Sequence, residues 1–223
     1  MSQHLRRDLE ALEKRLLFVA GQAEEAVRRS ITALPEQRMD LAERVIEGDR
    51  EFDRREVELE EECLKALALH HPVASDLRFI AACLKINNDL ERVADLAVNI
   101  AERAVSLAAR ESIPAPARFR EMMETTTRML RDAIDAFVRG EAAAARLICE
   151  RDDEVDGANR LIIGQMLDTM HQDPSTIDQA MQIISVSKNL ERIADHATNI
   201  AEDVVYLVEG AIIRHRHGIQ ALR

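Results

Sequence analysis

The side chains best placed to do chemistry here are carboxylates at helical spacing, and they occur twice. Leu90 to Glu102 reads LERVADLAVNIAE and Leu190 to Glu202 reads LERIADHATNIAE, with ten of the thirteen positions identical. At about 100° per residue, Glu91, Asp95, Asn99 and Glu102 fall within an arc of about 80° on a helix. Glu191, Asp195, Asn199 and Glu202 repeat the arrangement. A second acidic pair precedes each motif, Asp49-x-x-x-Asp53 and Asp152-x-x-x-Asp156, flanked by Val45, Ile46 and Phe52 in one copy and Ile148, Cys149 and Val155 in the other. Solvated charges would not be expected on such apolar seams.

Counting outward from the turns tests whether the pairs can meet. Asp53 lies 18 residues before His71 and Glu91 lies 19 after Pro72, while Asp156 lies 17 before Asp173 and Glu191 lies 17 after Pro174. In antiparallel neighbours Asp49 therefore faces Asp95, and Asp152 faces Asp195, within about one turn or 5 Å. Four carboxylates between two helices repel one another, and desolvation adds to the cost unless a cation compensates. Arg92 and Arg192 point about 100° away from the motif glutamates and suit the rim. The all-oxygen set matches hard cations such as Mg²⁺, Mn²⁺ or iron rather than a Cys/His zinc site. The competing reading is a metal-free polar network that sets helix register.

The elements that must position these acids are helices. Punctuation at Pro35, His71-Pro72, Pro114-Ala-Pro116, Gly140 and Asp173-Pro174 leaves long segments of helical apolar spacing. Six helices are expected, over 3 to 33, 36 to 69, 75 to 110, 116 to 139, 141 to 171 and 175 to 214. Ser75-Asp76 marks the start of the third, and Ser175-x-x-Asp178 is a capping-box match for the sixth. Short connections make neighbours antiparallel. The expected fold is all-α, two tandem three-helix up-down bundles related by duplication, with domains over 1–112 and 113–223. The third helix carries apolar residues on both faces and should be central in its bundle.

Composition excludes several classes. The chain is 47% hydrophobic with seven Gly, five Pro and no Trp, too little turn material for an all-β fold. A net charge of −11 opposes nucleic-acid or anionic-membrane binding, with Arg28, Arg29 and the Arg214-to-His217 tail the local exceptions, the tail reading as a frayed terminus. Cys63, Cys83 and Cys149 show no C-x-x-C spacing and behave as small buried hydrophobes. A charged N-terminus and the lack of any long apolar run point to a cytoplasmic chain with no membrane insertion.

Other residues carry structural readings. His196 lies about 100° from Asp195 around the helix, where the first copy has Leu96, and reads as a packed boundary histidine. His70, His71 and His171 sit at turns, and the methionines fall mostly on apolar stripes. A ferritin-like di-iron protein would need Glu-x-x-His pairs, which do not occur. Neither a nucleophile triad nor a Gly-rich phosphate loop is present, so no enzyme is expected. Apolar stripes on the first and fourth helices leave room for a homodimer.

These motifs, with the Pro72-x-Ala-Ser-Asp76-Leu-Arg78 segment, resemble the PhoU family of phosphate-signalling proteins over essentially the whole chain. The resemblance implies a cytoplasmic regulator that binds multinuclear metal clusters. It also implies action with the ATPase subunit of a phosphate-specific ABC transporter and with a phosphate-sensing histidine kinase, restraining phosphate uptake and the starvation response. By carry-over the first site would use Asp49, Asp53, Glu91, Asp95 and Asn99, and the second Asp152, Asp156, Glu191, Asp195 and Asn199. After Pro174 no arginine matches Arg78, so if Arg78 belongs to a partner surface the two bundles should dock differently.

Overall fold

A computed structural model of the chain describes residues 3–111 and 113–213, so the Arg214-to-His217 tail lies outside the described residues. The described residues form seven α-helices and one short 3₁₀ turn: α1 Gln3–Glu36, α2 Met39–His70, α3 Ala74–Ala108, α4 Phe119–Arg139, α5 Ala142–Cys149, α6 Asp152–Gln172, the turn Pro174–Thr176, and α7 Ile177–Glu209. The all-α, two-bundle expectation holds. In the first bundle, Asp8 with His70 and Arg15 with Glu62, each at 2.9 Å, set α1 antiparallel to α2.

Three local expectations are corrected. The helix expected to stop before Pro35 runs on to Glu36, because proline in the last turn lacks only one donor. It ends in a Schellman-type closure, with Gln37 at φ 49° and the Arg38 amide donating to the Ala33 carbonyl at 3.1 Å. The helix expected over 141 to 171 is broken at Glu150 and Arg151 into α5 and α6. Asp152, Asp153 and Glu154 then occupy the first turn of α6, where the helix dipole favours negative charge. The capping box at Ser175 does not form either. Asp173 caps the 3₁₀ turn through the Ser175 amide at 3.0 Å, while Asp178 reaches Arg110, two residues past the end of α3, at 2.6 Å.

The core is centred on α3 and α7, the two motif helices, which pack against each other as well as within their own bundles. Lys85 meets Asp203 at 3.0 Å, Asp89 meets His196 at 2.8 Å, and Arg103 meets Gln182 at 3.3 Å. Numbers rising on one helix as they fall on the other make the crossing antiparallel. They bring Val93 and Ile193, both 0% exposed, to the same height at its centre. The duplicated motifs thus cross at their midpoints about a pseudo-twofold axis. α3 buries most of its circumference, including Ile80, Leu90, Val93 and Ile100, and turns to solvent the stripe that carries Asn88, Arg92 and Glu102.

The ends of the crossing are related by the same axis with charge reversed. Arg78 donates to the Leu207 carbonyl at 3.4 Å, at the C-terminal end of α7 where cations are favoured. At the positions one hundred residues on, Asp178 begins α7 and pairs with Arg110 just past the end of α3. Arg78 thus makes a contact between the bundles that its second-copy position, Asp178, does not repeat.

Candidate metal centres

Packing of α2 on α3 brings the first acidic set together. Asp49 is partly buried, and desolvation raises its pKa, with Asp53 and Asp95 adding repulsion. Glu91 is raised by desolvation first, then by Asp95, Asp53 and Asp49, with Arg92 opposing. Its Oε2 is buried without a hydrogen bond, although Arg92 Nε stands 3.2 Å away. Arg92 also reaches Asp95 at 3.3 Å, so it occupies the rim yet closes over two of the four acids. Asn99 is partly buried one turn beyond Asp95.

Packing of α6 on α7 assembles the second set. Asp195 is pushed up to about 6, by desolvation first and then by Asp152, Glu191 and Asp156. Glu191 is raised by desolvation, then by Asp156 and Asp152. Thr198 Oγ1 donates to Asp152 at 3.3 Å, and Asp156 is 3.8 Å from Arg160 on its own helix. Asn199 turns its amide nitrogen toward Asp89 of α3 at 3.3 Å, joining His196 on the same carboxylate. His196 is therefore a helix-to-helix fastener at the boundary of its bundle.

Residues beyond the motifs shape both sites. Glu56 lies seven residues after Asp49, on the same face of α2, and its pKa is raised by desolvation, Glu60, Glu91 and Asp53. The Asn87 amide holds the Glu56 carboxylate at 2.8 Å and its backbone carbonyl at 3.0 Å. The equivalent place in the second bundle is taken by Ser187 donating to Asn159 at 2.6 Å. Each motif is thus preceded by one turn with a buried polar pin between the two ligand-bearing helices. The i+7 spacing to Glu56 was a readable signal. The Asn87 and Ser187 pairings had none, because a single polar residue on a stripe does not name its partner.

Hard-cation chemistry fits this donor set, since clustered carboxylate oxygens raise one another's pKa and a cation would relieve that repulsion. Among the described residues, however, no three His, Cys, Asp or Glu side chains already converge at ion-holding geometry. The acids are gathered but do not form a closed coordination shell.

Comparison with known proteins bears on the whole chain. The PhoU domain family model matches twice, over residues 16–104 and 119–204. The chain belongs to the PhoU family. A Pseudomonas putida relative named phosphate-specific transport system accessory protein PhoU homolog is 37% identical, over 96% of this chain and 84% of the relative. The phosphate-specific transport system accessory protein PhoU of Escherichia coli K12 is 32% identical over 98% of this chain and 90% of its own length. The crystal structure of PhoU from Pseudomonas aeruginosa superposes with a TM-score of 0.89 at 36% identity, covering 92% of this chain and 99% of that one. The PhoU structure from Streptococcus pneumoniae gives 0.86 at 28% identity, over 93% of this chain and 98% of that one. No described helix is long and apolar enough to cross a membrane.

Proposed function

We propose that this chain is a regulatory accessory protein of phosphate-specific transport. The supporting observation is the end-to-end match to proteins of that name, repeated in both bundles. In this reading it restrains phosphate uptake and keeps starvation genes off when phosphate is plentiful, acting with the ATPase subunit of the transporter and with the phosphate-sensing kinase. It performs no catalysis of its own. Deleting the gene in its host and following phosphate uptake with a starvation-responsive reporter tests this. Uptake and reporter should both rise in phosphate-rich medium and fall again on complementation, whereas a silent reporter and unchanged uptake would reject the role.

The same reading assigns hard cations to Asp49, Asp53, Glu91, Asp95 and Asn99, and to Asp152, Asp156, Glu191, Asp195 and Asn199. A bound cation would supply positive charge between α2 and α3 and between α6 and α7. The protein's own part is to hold those helix pairs in one register, through the Asn87 and Ser187 pins and the α3–α7 crossing. A second reading has a specific observation in its favour: Arg92 already bridges Glu91 and Asp95. Under it Arg92 offsets part of the charge of the first acid set, which holds no cation and only sets register. Chelation would then leave the melting temperature unchanged.

A further inference from the structure

The two bundles meet through a polar cluster that the duplication does not repeat. Asp89 of α3 is 7% exposed and takes two side chains of α7 on a single oxygen: His196 Nδ1 at 2.8 Å and Asn199 Nδ2 at 3.3 Å. Leu90-Glu91 follows Asp89 as Leu190-Glu191 follows Asn189, so the matching position in the second copy carries an amide. Asn99, which matches Asn199, makes no side-chain hydrogen bond among the described residues. One of the two duplicated asparagines is therefore held from the opposite bundle, and the other is not.

Donor and acceptor chemistry says what that contact does. A side-chain amide has a nitrogen end that donates and an oxygen end that accepts, whereas a carboxylate only accepts. Asp89 can therefore be met by the nitrogen end alone, and a hard cation takes the oxygen end alone. The one side-chain hydrogen bond of Asn199 among the described residues runs through nitrogen, so its oxygen is left without a donor. Asn199 stands one turn beyond Asp195, and its neighbour Thr198 donates to Asp152 of α6 at 3.3 Å, which places it at the height of the second acid set. An asparagine at position 89 would not make the same selection, because its own amide can meet either end of Asn199.

We infer that Asp89 is a positioning residue for the second cation site: a carboxylate of the first bundle orients Asn199 so that its oxygen serves the acids of the second. This inference rests on the cation reading proposed above. It makes the two sites unequal, because Asn99 has no such partner. It also ties the second site to the crossing of α3 and α7. Linkage is reciprocal, so a cation held by Asn199 strengthens the contact between the bundles. Groups that orient a metal ligand in this way typically contribute about 10–100-fold in metal affinity.

Mn²⁺ titration of the full-length protein, followed by the paramagnetic resonance signal of the free ion, tests it. Asp95→Ala leaves the second site to be read by itself, and Asp195→Ala the first. Added to Asp95→Ala, Asp89→Asn should weaken Mn²⁺ binding by about tenfold or more. Added to Asp195→Ala, it should leave binding unchanged. A merely loosened α3 would act the other way, since Asp89 shares that helix with Glu91 and Asp95, two and six residues on. With Asn199→Ala also present beside Asp95→Ala, Asp89→Asn should cost nothing further, whereas a lost charge or a weakened crossing would still reduce affinity. Unmoved affinity at the second site, an equal loss at both sites, or a loss that survives Asn199→Ala would overturn the inference. Failure of both single-site proteins to take up Mn²⁺ would instead overturn the cation reading, and this inference with it.

Discussion

Asp195→Asn should change sign in its effect on stability according to whether metal is present. In the folded chain the Asp195 carboxyl is pushed up to about 6 from an ordinary 3.8, by desolvation and by Asp152, Glu191 and Asp156. A raised carboxylate pKa means the folded state binds more protons than the unfolded one between these two values. Stability from this group is therefore full below about pH 4 and is lost as pH rises through 6. Two pKa units correspond to about 3 kcal/mol, but the residue is exposed and solvent screens its neighbours, so about 1–2 kcal/mol is the realistic penalty at pH 7.5. Asparagine keeps the shape and removes the charge. With chelator at pH 7.5 the variant should melt about 2–6 °C above wild type, and the gain should vanish near pH 4. With Mn²⁺ in excess the order should reverse, because wild type gains binding energy that the variant has partly lost. Differential scanning calorimetry of both proteins, with and without chelator, reads all four conditions. A variant less stable than wild type in chelator at pH 7.5 would refute the claim that these acids repel one another in the folded chain.

Other substitutions probe the frame that holds the sites. Asp89→Ala leaves His196 and Asn199 without their shared acceptor at the bundle boundary and should cost about 1–3 kcal/mol in a urea melt; His196→Leu, restoring the first-copy residue, should recover part of that in the double variant. Leu90→Ala and Leu190→Ala, at fully buried positions of the crossing, should each cost about 2–5 kcal/mol in the same assay. The three thiols should resist a disulfide reagent until the chain unfolds. Burial pushes Cys63 up to about 12 and Cys149 up to about 11, and raises Cys83 as well, so rapid labelling of native protein would contradict the packing.

Much of this was legible in the residues. Helix positions and the meeting of Asp49 with Asp95, and of Asp152 with Asp195, followed from apolar spacing and from distances to the turns, because antiparallel helices joined by short links leave little freedom in register. The break between α5 and α6 is signalled by the acidic run Asp152, Asp153 and Glu154, a helix-start pattern that neither Gly nor Pro precedes and that apolar spacing runs straight through. Packing of α3 on α7 was not readable. Both helices carry apolar residues beyond the face that their own bundle needs, and such a surface says that something covers it without saying what. The roles of Arg78 and Asp178 depend on that crossing, so they became visible only with it.

If the two acid clusters are cation sites, one per bundle, metal content must follow the acids. Elemental analysis of tag-free protein, loaded with Mn²⁺ or Fe²⁺ and freed of excess, tests it most directly when wild type is set beside Asp95→Ala and Asp195→Ala. Wild type should hold several ions per chain, with each variant losing the share of its own bundle. Metal-free wild type, or variants with unchanged metal content, would contradict it and leave the acids as determinants of helix register.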